Sequence, residues 1–261
     1  MSKDRILMIR EGLSNSSVIN NILTTSKDKY ITSILNEIQK TIGDQKKDLS
    51  QCSVNSIVSS IKQAHDLQLE IDGRGHCHLV KRNKNIGDKQ NPKWVSEATL
   101  QVGYRGFIYA VKRAYPDANI DCRLVYEGDK FTLKKEGDIT TYSLEVEDPF
   151  AKRDKIKGGF CYISYSLGEK KLSFCEVMNL SEINKIKNCA KSDSIWQAWF
   201  EEKAKVALIR RACKIHFSSI QQLSDLEKHD NEEFELKDVS KTANIPDNLE
   251  FSNGDKVGGD E

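Results

Sequence analysis

The stretch Leu100–Phe131, LQVGYRGFIYAVKRAYPDANIDCRLVYEGDKF, changes its period twice. It opens as the end of an alternating strand, WVSEATLQVG. From Tyr104 the apolar residues recur at helical spacing. Tyr104, Ile108, Val111 and Tyr115 form one stripe with Phe107 and Ala114 beside it, while Arg105, Tyr109 and Lys112 fall on the other side with Arg113 adjacent. After Pro116 the alternation returns in ANIDCRLVY and stops at Glu-Gly-Asp. A strand, an amphipathic helix and a strand, each segregated from the next, predict an α+β fold: antiparallel strands packed against helices.

The flanks extend this pattern. HCHLVKR (76–82) and WVSEATLQVG (94–103) predict a hairpin whose tip is the polar run 83–93. Downstream, FTLKKEGD, TTYSLEVED, GGFCYISYSLGEKK and KLSFCEVM are short alternating segments with Gly/Asp turns, and they predict that the sheet continues as an antiparallel meander. Two helices precede the sheet. One is KYITSILNEIQKTI (29–42), with Ile31, Leu35, Ile38 and Ile42 on one face. The other lies in SQCSVNSIVSSIKQAHDLQLEI (50–71), with a stripe of Val54, Ile57, Val58, Ile61 and Ala64, and DGRG ends it. Two helices follow the sheet. One starts near Asn179–Ser181 and the other runs from Ser194 to about Phe217, where Ser194 and Gln197 fit a capping box. The resulting division is a helical arm over 1–48 offering its apolar face to a second subunit, a core over 49–222, and an acidic, disordered tail over 223–261.

The chain has 261 residues, 30% of them charged, and a mean hydropathy of −0.57. No apolar run approaches the roughly 18–20 residues of a membrane span, and the charged start, MSKDRILMIREG, lacks a secretory apolar stretch. Seven scattered cysteines without a CxxC predict free thiols in a reducing, cytoplasmic compartment. Net charge is +1, unevenly spread. Residues 225–261 hold 12 acidic residues against 4 lysines, and the remainder holds 36 basic against 27 acidic. A basic body suits a polyanion partner, with the tail screening that surface or serving another protein.

Three basic groups are candidates for that partner. On the central helix, Arg105, Lys112 and Arg113 surround Tyr109, so cations for phosphates sit beside a ring on which a base can stack. In EEKAKVALIRRACK (201–214), Lys203, Arg210 and Lys214 line one face with Ala207 between them. Glu201 and Lys205 have the spacing of an ion pair. Arg211 shares a stripe with Ala204, Leu208 and Ile215, which predicts partial burial and an acidic partner or a ligand. The loop FAKRDKIKGG adds Lys152, Arg153, Lys155 and Lys157. Other chemistries fit poorly. In GRGHCH, His76 and His78 share a strand face while Cys77 points away, and two ligands do not make a zinc site. The glycines of DGRG follow a helix and precede a strand, the reverse of a dinucleotide fingerprint, and there is no GxxxxGK[ST], so ATP-driven action is not expected. Asp117, Glu169 and Lys171 imitate a nuclease pattern only crudely.

Several motifs in order resemble the phage RecT/Red-beta single-strand annealing proteins: DLQLEIDGRGHCHLVKR, the opening stretch, GGFCYISY, VMNLSEI, KSDSIWQAW and EEKAKVALIRRACK. The likeness runs over about 50–217 and includes G-Y-[RK]-G, V-Y-E-x-D-x-F and I-R-R-x-x-K. Where such proteins commonly carry Lys-Thr before I-R-R, this chain has Val206 and Ala207, which moves that lysine's role to Lys205 or Lys203. The resemblance implies a non-catalytic, ATP-independent protein of the bacterial host cytoplasm. Such a protein binds single-stranded DNA, assembles into rings or helical filaments and anneals complementary strands. It implies no cofactor beyond Mg2+ as a counterion for DNA, and partnership with a phage 5′-to-3′ exonuclease and a host single-strand-binding protein. The contacts then fall on Gln101, Tyr104, Arg105, Tyr109, Lys112, Arg113, Arg153, Lys155, Lys157, Lys203, Lys205, Arg210, Arg211 and Lys214. A protein that protects single strands without annealing them, a metal-dependent nuclease, and a protein whose basic face docks an acidic partner are the competing readings.

Overall fold

A computed structural model describes residues 2–23, 26–88, 90–150, 153–189, 194–217 and 220–226. Four helices open the chain: α1 (Ser2–Asn15), α2 (Ser17–Ile22), α3 (Lys27–Gln39) and, after a 3-10 turn over Leu49–Gln51, α4 (Val54–Asp66). α1 and α2 fall in the helical arm expected over 1–48, ahead of the one helix the sequence marks there. Each contributes few apolar residues, Ile9 and Leu13 from α1 and Ile19 from α2, and these are buried because α3 and α4 supply the opposing surface. The α3 face predicted to await a second subunit is closed within this chain: Ile31, Ile34, Leu35 and Ile38 are all buried, with α1 packed alongside.

The hairpin β1 (Cys77–Asn85) and β2 (Trp94–Val102) pairs in the register His78–Gln101, and its inward residues Cys77, Leu79, Ala98, Leu100 and Val102 are buried. α4 runs beside β2. Its N-terminal serines bond the strand's backbone: the Ser53 N–H donates to the Ser96 carbonyl (3.3 Å), Ser56 Oγ accepts from the Ala98 N–H (2.9 Å), and Ser60 Oγ donates to the Ala98 carbonyl (3.0 Å).

α5 (Tyr104–Ala114) leads into a second sheet of order β3–β6–β7, formed by Asn119–Tyr126, Ile156–Leu167 and Lys170–Asn179, all antiparallel. The predicted continuous meander is interrupted here. β4 (Lys130–Glu136) and β5 (Ile139–Glu145) pair with each other as a separate hairpin. It lies on one face of the three-stranded sheet, with Phe131 stacked on Phe160 at 4.7 Å and Tyr142 against Phe160 and Tyr162 at 4.8 and 5.0 Å. Alternation fixes which face a residue takes and leaves the neighbouring strand open. The corner that sends the hairpin away is tied by Asp129, the aspartate of VYEGD. Buried Asp129 accepts the Tyr126 N–H (2.8 Å) and pairs with Arg153, whose guanidinium lies 4.1 Å from the Tyr126 ring centroid.

The other face of the sheet is covered by α8 (Phe200–His216). A side chain at Gly159 would start 2.7 Å from Leu208 Cδ1, so glycine there lets the helix settle onto β6. α6 (Leu180–Asn188) starts at a capping box of Asn179 and Glu182. The helix expected to run unbroken from Ser194 is instead α7 (Ser194–Ala198) and α8, separated at Trp199 (φ −136°, ψ 42°). Trp196 turns inward to meet Phe200 edge-on at 5.8 Å while Trp199 stays exposed. The Ser194 side chain, and with it the predicted cap, lies outside the described residues. The core also extends past the boundary expected at 222: Leu223 and Leu226 are buried, and Gln222 Nε2 donates to the Leu67 carbonyl at 2.8 Å. The remaining tail, 227–261, lies outside the described residues. All seven cysteines are free thiols, and among the described residues no helix is long and apolar enough to cross a membrane.

Candidate nucleic-acid interface

Three glycines build the corner from which α5 leaves β2. The Gly103 N–H donates to the His76 carbonyl at 2.9 Å. A Cβ on Gly103 would sit 2.3 Å from the Gly75 carbonyl oxygen, and one on Gly106 would sit 2.6 Å from that of His76. Only bare Cα atoms allow the loop 72–76 to press onto the first turn of the helix, and Gly75 itself takes φ +87°. Behind the loop, α3 steadies it through Tyr30, whose hydroxyl accepts the Ile71 N–H at 3.3 Å. Arg105 Nη1 donates to the Arg74 carbonyl at 2.9 Å, so this cation is both exposed and anchored. One turn along, Tyr109 stacks on His76 with centroids 4.6 Å apart and planes 24° apart, and the Arg113 guanidinium lies 5.9 Å from the same ring. Arg105, Tyr109, Lys112 and Arg113 all face solvent, as their spacing predicts.

α8 packs against α5. From α8, Arg210 Nη2 donates to the carbonyl of Val102, the last residue of β2, at 2.7 Å, and its guanidinium lies 5.5 Å from the Phe107 ring. Arg105 and Arg210, far apart in sequence, therefore close on one strand–helix corner. Gln101 and Tyr104 are half-buried at that corner, Lys203 and Lys214 are half-buried on α8, and Lys157 is exposed on β6.

Other candidates have work inside the fold. Arg211 Nε bonds Glu176 Oε1 at 2.8 Å and its Nη1 bonds Glu182 Oε1 at 2.9 Å. The acidic partner predicted for it is thus a pair, Glu176 and Glu182. The same Glu182 closes the α6 capping box, and the Asn179 N–H and the Arg211 guanidinium hold its carboxyl below the ordinary glutamate value. Arg153 is likewise committed to Asp129 and Tyr126. Lys155 pairs with Glu127 at 3.0 Å. Lys205 pairs with Glu202, one residue along from the expected Glu201. Lys152 lies outside the described residues.

Two contributors went unread in the sequence. Alternation alone puts His76 on one strand face with His78, but β1 starts at Cys77, and the His76 ring turns onto Tyr109 instead. Arg74 offers its carbonyl to Arg105, and its exposed side chain pairs with Asp72 at 2.9 Å. The glycine spacing GRGH…GYRG was the available signal, since glycines on two segments mark a close backbone approach. Of the nuclease-like residues, Asp117 and Lys171 line one cavity of about 350 Å³ that Glu169 does not reach. Among the described residues no three His, Cys, Asp or Glu side chains are placed to hold a metal.

Comparison with known sequences bears on this arrangement. The RecT family model matches residues 28–244, the greater part of the chain. The chain belongs to the RecT family. It is similar to Protein RecT of Escherichia coli (strain K12), 29% identical over 169 residues. That alignment covers 64% of this chain and 59% of the relative, so the chain spans less than two thirds of that protein's length. No solved structure matches. The RecT match takes in the corner described above together with α6 and α8, and it extends past Leu226.

Proposed function

We propose that this chain binds single-stranded DNA by its backbone along the α5–α8 face and anneals complementary strands during recombination, without nucleotide hydrolysis. The observation that carries this reading is the meeting of two basic helices at one corner, with Arg105 and Arg210 both bonded to its backbone. Membership of the RecT family supports it. Arg105, Lys112 and Arg113 neutralise phosphates, with Lys203, Lys214 and Lys157 extending the track. Arg210 holds the corner in shape, and Gln101, Tyr104 and Tyr109 offer polar and aromatic support beside it. Backbone contacts alone suffice, because pairing between the two strands supplies the sequence test. No covalent step is needed, and Mg2+ serves at most as a counterion for the DNA. Copies of the chain continue the track from one to the next in a ring or filament. The strands come from a 5′-to-3′ exonuclease and carry a host single-strand-binding protein. The test is fluorescence-monitored annealing of complementary oligonucleotides without ATP. Acceleration over the protein-free rate supports the reading. Binding without acceleration reduces it to strand protection, and no binding at low salt overturns it.

A further inference from the structure

We infer that His76, Tyr109 and Arg113 form a preassembled stacking ladder onto which a nucleobase of the bound strand adds as the next rung. This rests on the reading of the α5–α8 face as a DNA site and goes further, by assigning a base contact and a residue, His76, outside the basic stripes. The argument begins with the backbone. Gly103 and Gly106 each accept an approach that no side chain would tolerate, with a Cβ falling 2.3 and 2.6 Å from carbonyl oxygens, and Gly75 turns the loop at φ +87°. The product of that close fit is a surface feature: an imidazole laid on a phenol ring at 4.6 Å and 24°, with a guanidinium 5.9 Å from the same ring. Tyr109 remains 37% exposed, so the ladder borders solvent. Arg105 locks the loop carrying His76 by bonding the Arg74 carbonyl, which places a phosphate-neutralising cation one helical turn from the rings. Flat π surfaces beside cations are what an unpaired base and its phosphate need, and stacking accepts every base because each has a π face. A ring order set before binding lowers the cost of ordering the site.

The test uses the full chain and a single-stranded oligonucleotide bearing 2-aminopurine, whose emission is quenched by stacking. At saturating protein the native chain quenches the probe. His76→Leu and Tyr109→Leu each lose most of that quenching and weaken binding at least about fivefold, the lower end of what one stacked base contributes. His76→Phe, which keeps a flat ring, restores quenching. Circular dichroism confirms the fold of each variant, and the two leucine variants act as independent checks on each other. Undiminished quenching in both folded leucine variants, with binding intact, overturns the ladder and leaves the DNA reading standing. Failure of the native chain to bind overturns both.

Discussion

Replacing Gly106 with alanine should destabilise the protein, although helix propensity alone favours the change. Gly106 is the third residue of α5, and alanine in a helix is better than glycine by about 1 kcal/mol. Against this, the new Cβ would stand 2.6 Å from the His76 carbonyl oxygen, 3.1 Å from Val102 Cγ1 and 3.3 Å from Leu69 Cδ1. The nearest obstacle is backbone, held by its bond from the Gly103 N–H, so a side-chain rotation cannot relieve it. Overpacking of this kind costs about 1–3 kcal/mol, and a rigid obstacle puts the cost in the upper part of that range. The expected net loss is about 1–2 kcal/mol, read as a lower urea midpoint with an unchanged slope. The variant should also move His76 off Tyr109 and reduce DNA affinity beyond its effect on stability. A gain of about 1 kcal/mol, the bare propensity term, would refute the claim that the loop rests on the helix.

The exposed Arg105 and the ion-paired Arg211 should respond differently to replacement. Arg105→Ala should lower the log–log salt dependence of single-strand binding by about 0.7, one phosphate contact, whereas Arg211→Ala should leave that slope unchanged and reduce stability, because Glu176 and Glu182 lose their shared partner. Binding titrations at several salt concentrations, beside urea melts, separate the two. Acid should loosen the α6 start: with the Glu182 carboxyl held below its ordinary 4.5, its contribution is complete above that value and is lost as pH falls through the lowered one. Glu182→Gln should therefore flatten the acid limb of stability in urea midpoints measured against pH, and an unchanged limb would assign the acid loss to other carboxylates.

What the sequence made legible was set by local periodicity. α5 came through because its two faces differ so sharply, and Arg211 was placed beside acid because it interrupts an apolar stripe. Pairing at a distance was not legible. Nothing in the alternation of FTLKKEGD and TTYSLEVED says that these segments pair with each other and lie on the sheet instead of extending it. The break at Trp199 carries no glycine or proline to announce it, and α1 and α2 gain their reason to fold only once α3 and α4 are beside them. For the site, the cations were readable as types and spacings, but their commitments were not. Arg153 and Lys155 look as available as Lys157 in FAKRDKIKGG, and only the fold pairs them with Asp129 and Glu127.

Serine hydroxyls of α4 stand where a third strand would lie beside β2, and they satisfy both the amide and the carbonyl of Ala98. A margin occupied in this way cannot take a foreign strand at Ala98, so the ribbon is blocked from growing there on its β2 side. Copies of this chain that join into a larger array therefore do not do so by adding a strand at Ala98.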